Sequence, residues 1–585
     1  MCGILGAFSV DQPFATPPIP ANSLERMRHR GPDAQGWYVD DHAILGFRRL
    51  AILDLVGGGQ PLYSEDEQIV VVVNGEIYNH HALRETLKAR HRFRTRVDGE
   101  VLIHLYEERG IEFVNELSGM FAFALYDRAK RRLILGRDRP GLKPLFYRWS
   151  DGVLHFASEM KPLLHDRKPA VCREAVSDYL RFGYVPAPLT ILDGVNKLPA
   201  GSVLVVQPDT APRTIPYWKL RFEHDDRKTS SPSQLGKWEE ELRHTLQNAV
   251  QARLESEVPM GFLLSGGVDS ASVFALGASA LRDRKVQAFT IGFRGAAIDE
   301  SEAAGEVASR YQAEHRVIHL DRDDSMSLDD ILYSVEEPVS TDALLPTACV
   351  FGAVARANIT TVLSGEGSDE LFAGYRKFAV ATRDPAAKDL SPLERYLLHE
   401  EFVFPSRAER EALLGESVSD SRFSELEREA QELDPLSQML LIETRMRLPD
   451  RINLRLDRTS MAQSIEARAP FMEHKVMEFA ARIPHVFRTG PTFNKYLLRH
   501  AMRDHLPSVV LDARKAPFHA PDTWFTNHRD SDALLGRDAV AEAGLVRPEP
   551  VQALRERARG GDRAAQEKLF SLFVLHAWHR AFYRR

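Results

Sequence analysis

The sequence predicts two domains of different class. Residues 1–205 read as an α+β domain of two packed β-sheets with flanking helices. Residues 236–585 read as an α/β domain with a helical C-terminal part, and 206–235 as a linker. Three observations carry this. Short β-like runs broken by turn residues fill the first 205 positions, the pattern of sheet packed on sheet. From 206 to 235 the chain turns polar and proline-bearing, at 208–216 and 225–232, which suits an inter-domain connection. Beyond it, apolar runs end in glycine-rich turns and lead into helical periods, as strand, loop and helix start do in α/β folds.

Taken in order, the predicted strands are 3–10, 42–47, 68–73, 120–126, 132–136, 144–148 and 153–157, with helices at 83–90 and 99–109. Residues 48–54 read as a buried strand opened by a cation. Asn74-Gly75 reads as the turn that ends strand 68–73, and 97–100 as a helix cap. In the second domain a helical period runs through Leu242, Leu246, Val250 and Leu254. Residues 289–293 are the strand after the first glycine-rich loop, Cys349 sits in an apolar helical stretch, and 569–583 is an amphipathic helix that packs.

A chain of 585 residues with 44% hydrophobic and 27% charged content is an ordinary globular one. A net charge of −7 gives no argument for nucleic acid or a membrane surface. No apolar run approaches the roughly 20 residues of a membrane span, and no basic segment leads an apolar core at the N-terminus. Three cysteines (Cys2, Cys172, Cys349) are too few for a disulfide framework and fit a reducing compartment. The expected location is the cytoplasm, with neither nucleic acid nor membrane as partner.

The chemistry starts at Cys2. Once Met1 is removed, Cys2 carries a free α-amine, which titrates near pH ~7.7–8.0. Nucleophile and general base then share one residue. Several polar residues stand at strand ends nearby: 28–33 (RHRGPD), Arg49, Asn74-Gly75-Glu76 and Asp98. Together they supply what a cysteine amidase needs for free glutamine. That is a guanidinium for the carboxylate, acidic groups for the ammonium, and Asn plus a glycine N–H for an oxyanion.

A second centre is 261–270 (GFLLSGGVDS), where an apolar run turns through Ser265-Gly266-Gly267 into a helix start. Backbone N–H groups and the helix dipole make such a turn an anion site. It lacks the lysine of the G-x-x-x-x-G-K-[ST] loop. A third loop, 362–370 (VLSGEGSDE), carries three acidic groups in five residues beside glycines, which suits Mg²⁺–pyrophosphate chemistry.

Cys2-Gly3-Ile4, residues 28–33, Arg49-Leu50, Asn74-Gly75-Glu76, Asp98 and Gly136-Arg137-Asp138 resemble the class II glutamine amidotransferase domain, an N-terminal-nucleophile hydrolase fold. The resemblance implies Cys2 as nucleophile and Arg49 on the glutamine carboxylate. It places Asn74, Glu76 and Asp98 around the rest of glutamine, and Asn74 with Gly75 at the oxyanion. The 265–270 loop resembles the pyrophosphate loop of N-type ATP pyrophosphatases. Residues 456–462, 465–471 and 494–499 resemble the asparagine synthetase family. This implies a parallel-sheet, adenine-nucleotide-binding domain that meets ATP through Leu263, Ser265, Gly266, Gly267, Asp269, Ser270, Ile291, Ser364, Gly365 and Lys495. Glu366 falls at the acyl-transfer site, and Asp269 and Asp369 are the choices for Mg²⁺.

The implied reaction is glutamine-dependent amidation of a carboxylic acid through an acyl-adenylate, with release of AMP and pyrophosphate. Aspartate leads as acceptor. In the best-characterised bacterial relatives an arginine near 336–346 helps hold aspartate, yet no arginine occurs from 336 to 354. A natural-product or cell-surface carboxylate therefore stays open as acceptor. So do a β-lactam-synthetase-like cyclase and a non-catalytic paralogue, although intact Cys2 argues against the first. A homodimer stays open as its assembly.

Overall fold

The computed structural model describes residues 2–584 apart from 166–167, 225–231, 282–284, 293–298, 320–326, 491–494 and 514–530. Most of the polar stretch 225–232, Phe293 and Asn494 thus lie outside the described residues. The N-terminal domain is two six-stranded sheets. The first holds β1 (Cys2–Ser9), β2 (Ala34–Val39), β3 (Ala43–Arg49), β8 (Phe146–Ser150), β9 (Val153–Ala157) and β10 (Val195–Lys197) in the order β10-β8-β9-β1-β3-β2. The second holds β4 (Leu62–Tyr63), β5 (Ile69–Ile77), β6 (Gly119–Asp127), β7 (Arg132–Arg137), β11 (Ser202–Val206) and β12 (Arg213–Pro216) in the order β12-β11-β7-β6-β5-β4.

Side chains that alternate along a strand serve two cores. Ile4, Phe8, Leu45 and Phe47 of the first sheet meet Val72, Ala122, Ala124 and Leu135 of the second. The opposite face of the second sheet, with Val71, Val73, Phe121 and Phe123, packs on helices His80–Leu87 and Val101–Arg109. Every residue of β1 is buried. The predicted helices at 83–90 and 99–109 correspond to these two, shifted by the turns that start them.

Two local readings are corrected. Asn74-Gly75 does not turn the chain. β5 runs through it to Ile77, with Asn74 opposite Ala122 and Gly75 opposite Phe121. Gly75 has φ +143°, and a Cβ there would sit 1.9 Å from the Met120 carbonyl oxygen, so glycine serves close strand approach instead of a hairpin. Residues 50–54 are not a strand, because Arg48 and Arg49 close β3 and the loop beyond wraps the Arg49 guanidinium. Strand β8 starts at Phe146, two residues after Pro144, which cannot donate to a ladder.

The C-terminal domain follows helix Pro232–Ala252. Its sheet holds β13 (Met260–Leu263), β14 (Gln287–Gly292), β15 (Glu314–His319), β16 (Thr361–Leu363) and β17 (Glu466–Arg468) in the order β15-β14-β13-β16-β17. All four pairings are parallel. The chain steps outward from β13 to β14 and β15, then returns to the other side of β13 at β16. Open α/β sheets bind ligands at such a switch point, outside the C-terminal strand ends. The last helix, Arg563–Trp578, continues as a wider π-turn over His579–Tyr583. It is buried continuously from Ser571 to His579, so it is a core helix where an amphipathic one was predicted. Among the described residues, no helix is long and apolar enough to cross a membrane.

Candidate functional site

Cys2 lies at the start of β1, directly opposite Arg49 of β3. Its backbone N–H donates to Asn74 Oδ1 at 2.9 Å. The Asn74 Nδ2 group is buried and has no hydrogen-bond partner. An orphan amide donor beside a cysteine is available to a developing negative charge. Burial pushes the Cys2 thiol up, so it would need a base within reach to react as a thiolate. Arg49 Nη2 donates to the Leu53 and Asp54 carbonyls at 3.1 and 2.6 Å, and Nη1 to Leu55 at 3.3 Å. Gly58 permits this, because a Cβ there would lie 2.3 Å from Arg49 Nη2.

Glu76 and Asp98 are both buried. Asp98 Oδ2 accepts the Ile77 N–H at 2.6 Å. Burial, with Glu466 and Asp98 close by, pushes the Glu76 carboxyl well above the usual carboxylate range. Burial raises Asp98 as well. Two desolvated carboxyls of this kind are a place for a cation. By contrast, the Gly136-Arg137-Asp138 stretch is architectural. Asp138 accepts from the backbones of Phe121, Leu142 and Lys143, and Arg137 donates to three carbonyls.

At the switch point, the loops after β13 and β16 touch. A Cβ on Gly365 would lie 2.5 Å from the Ser270 backbone nitrogen. The Ser265 hydroxyl accepts the Gly267 N–H at 3.1 Å and meets the Ser270 hydroxyl at 2.9 Å. Gly267 opens helix Val268–Ala280, whose N-terminus therefore faces the loop. Leu263 pairs with Phe289, which puts Ile291 two residues further along β14 at the same end. The Ser364 hydroxyl is buried without a partner. Lys495 Nζ bridges Asp269 Oδ2 at 2.5 Å and Asp369 Oδ1 at 2.6 Å. Gly374 makes room, since a Cβ there would strike both Asp369 and Lys495. Glu366 Oε1 accepts from Arg455 at 2.6 Å.

The two regions meet through residues whose individual roles the sequence did not reveal. Arg30, fully buried, donates through Nε to the Cys2 carbonyl at 3.1 Å. Its Nη1 and Nη2 fork onto Asp457 at 2.8 and 3.0 Å. Arg468 Nη2 lies 3.7 Å from Glu76, while its own carbonyl accepts the Ser364 N–H at 2.9 Å. Glu466 pairs with Arg468 Nε at 2.5 Å. The signal was present in the charged residues of 28–33 and 456–468, which look like turn and helix polarity until both sides of the interface are known. The segment from 336 is only partly free to shape a pocket. Glu336 is fully buried on Lys161, Arg458 and two backbone N–H groups. Glu337 pairs with Lys197 at 2.6 Å. Arg451 reaches the Ser340 carbonyl at 2.9 Å and Arg458 pairs with Glu336 at 2.9 Å, so the segment without an arginine of its own meets guanidiniums from 451–458.

A family model described as asparagine synthase matches residues 241–580, and one described as glutamine amidotransferase domain matches residues 1–218. Asparagine synthetase [glutamine-hydrolyzing] 1 of Bacillus subtilis is 29% identical over 621 residues, covering 99% of this chain and 96% of that protein. Asparagine synthetase B of Escherichia coli is 33% identical over 537 residues, covering 88% and 82%. Asparagine synthetase 2 of rice, Oryza sativa, is 31% identical over 581 residues, covering 95% and 84%.

Proposed function

Because the chain belongs to the asparagine synthase family, with a glutamine amidotransferase domain ahead of the synthase region, we propose that it amidates a carboxylic acid, aspartate first among candidates, with glutamine as nitrogen donor and ATP as activator. The observation that carries this is Arg468. Its guanidinium faces Glu76 in one site and its carbonyl holds Ser364 in the other, so two half-reactions share one residue.

In this reading Cys2, freed by loss of Met1, passes its thiol proton to its own α-amine and attacks the glutamine carboxamide. Arg49 holds the glutamine carboxylate, and Glu76 and Asp98 hold its ammonium. Asn74 Nδ2 and the Gly75 N–H stabilise the oxyanion as ammonia leaves. Water would protonate ammonia near neutral pH, so a closed route is needed. Leu50, Ile52 and Met461 form an apolar cluster across the interface, and such a lining suits a neutral passenger.

At the second site, the 265–270 loop and Ser364-Gly365 cradle the phosphates, with Leu263 and Ile291 toward the adenine. The acceptor carboxylate attacks the α-phosphorus, pyrophosphate leaves, and ammonia then displaces AMP from the acyl carbon near Glu366. Lys495 offsets phosphate charge. Asp269 and Asp369 fit a divalent cation, because they already close around the single cation Lys495. They would hold Mg²⁺, which when bound offsets the charge of the leaving pyrophosphate.

Another carboxylic acid is the second reading, favoured because 336–354 has no arginine of its own and the two that reach it, Arg451 and Arg458, are already held by the Ser340 carbonyl and Glu336. The experiment is pyrophosphate release from ATP, Mg²⁺ and glutamine, with and without L-aspartate, with mass analysis of the product. Aspartate-dependent release with asparagine formed establishes the first reading. Silence with aspartate, from protein that still hydrolyses glutamine, excludes aspartate and leaves the second.

A further inference from the structure

We propose that His91, His104 and Glu107 form a binding site for a zinc-class transition-metal ion on the glutaminase domain, separate from both reaction centres. His104 and Glu107 are three apart on helix Val101–Arg109 and so share a face. His91 comes to them from the loop after helix His80–Leu87. Both imidazoles aim Nδ1 at one carboxylate oxygen: Glu107 Oε2 lies 3.3 Å from His91 Nδ1 and 2.9 Å from His104 Nδ1. A tetrahedral ion with bonds of about 2.0–2.1 Å separates its donor atoms by about 3.3 Å. The three donor atoms lie within 4.8 Å of one another, close enough to converge on one ion.

The outer surroundings point the same way. His91 has a carboxylate at each ring nitrogen, since Nε2 lies 3.2 Å from Glu108 Oε1. With Nε2–H donated to Glu108, the Nδ1 lone pair is turned toward the Glu107 side and a metal, the carboxylate–histidine–metal arrangement that sets ring orientation at metal sites. Arg90 also pairs with Glu108, at 2.7 Å, and fixes that carboxylate beside the His91 ring. The two rings lie 4.7 Å apart and 30° from parallel, and Phe93 closes edge-on against His104. His104 is buried, whereas Glu107 keeps a quarter of its side chain exposed, which leaves an entry path and room for water as a further ligand. Two imidazoles and a carboxylate suit Zn²⁺, Ni²⁺ or Cu²⁺ in preference to Mg²⁺.

A second His/His/Glu group, His80, His81 and Glu255, also has its donor atoms close together. It uses both carboxylate oxygens, and His81 is mostly exposed. It serves as the internal control.

The test is metal titration of the full-length, chelator-stripped protein with Zn²⁺ against a chromogenic competitor, and with Co²⁺ for its visible spectrum. The wild type is expected to take up an equivalent that Glu107→Gln and His91→Ala each abolish, while His81→Ala retains it. Glu108→Gln is expected to weaken Zn²⁺ binding about 10–100-fold, as loss of an outer carboxylate does. Glu107→Gln and His91→Ala lie at the partly exposed rim, and circular dichroism of each checks folding. No Zn²⁺ retained by the wild type, or an equivalent that survives both rim substitutions, overturns the proposal.

Discussion

Asp457→Asn is the most informative single change, because it sits in one domain and acts on Cys2 of the other. Asp457 takes the fork of Arg30, which is fully buried and also holds the Cys2 carbonyl. Removing one member of a buried ion pair costs roughly 3–5 kcal/mol, because the remaining charge is left uncompensated. Asparagine keeps the volume and one acceptor, and Glu159 remains 3.3 Å from Arg30 Nη1. The low end applies, ~3 kcal/mol, or about a hundredfold in the folded-to-unfolded ratio.

Urea denaturation read by tryptophan fluorescence measures the loss, and glutaminase kcat reports the displaced Cys2 backbone. The pH dependence adds a second check. Burial would raise the Asp457 carboxyl, but Arg30 outweighs it and holds the carboxyl below its ordinary value. A depressed folded-state value stabilises above the unfolded value of about 3.9 and loses that contribution as pH falls through the folded one. The gap between wild type and variant is therefore full at neutral pH and closes in acid. A shift below ~0.5 kcal/mol, the range of ordinary surface substitutions, with unchanged glutaminase activity refutes the account of Arg30 as the strut between the domains.

Other substitutions separate the two centres. Cys2→Ala is expected to lose glutamine-dependent synthesis and keep synthesis from free ammonia; equal loss of both argues against separable sites. Asn74→Ala, which removes the orphan Nδ2 donor, is expected to lower glutaminase kcat by about 10²–10³, and full activity removes Asn74 from the oxyanion hole. Lys495→Met leaves Asp269 and Asp369 without their shared cation. It is expected to cut ATP–pyrophosphate exchange by a similar order, about 10²–10³, while glutamine hydrolysis continues. Glu370→Gln tests a burial cost. Burial, with Asp369 and Glu443 nearby, pushes Glu370 up to about 7. A raised carboxyl destabilises the fold as pH climbs from the unfolded value of about 4.3 through that value. Glu370→Gln should therefore gain stability over wild type at pH 8 and not at pH 4, and the opposite order in thermal melts contradicts this.

Much of this architecture was legible because it rests on local patterns. The runs along β1, β5 and β6 are strong because their residues are buried on both faces, and the run before Ser265-Gly266-Gly267 because a glycine turn ends it. Strands β2 and β15 escaped because their half-exposed residues carry little apolar signal, and β17 because three residues make no period. Asn74-Gly75 misled for a different reason: the same glycine freedom that builds a hairpin also admits a neighbouring carbonyl at close range. Candidate site residues were readable where each stands beside its own loop. Arg30, Asp457, Glu466 and Arg468 act across the interface, and a one-dimensional string does not show which charges face each other.

Arg468 also limits how this protein can be taken apart or recombined. Cutting the chain after the amidotransferase sheets would leave Arg30 without Asp457 and Glu76 without its distant guanidinium, both opened to solvent at one stroke. Exchanging either half with a relative would require residues 28–33 and 456–468 to travel together, however far apart they stand in sequence. The unit that must stay whole is the seam, with a half-domain hanging from each side of it.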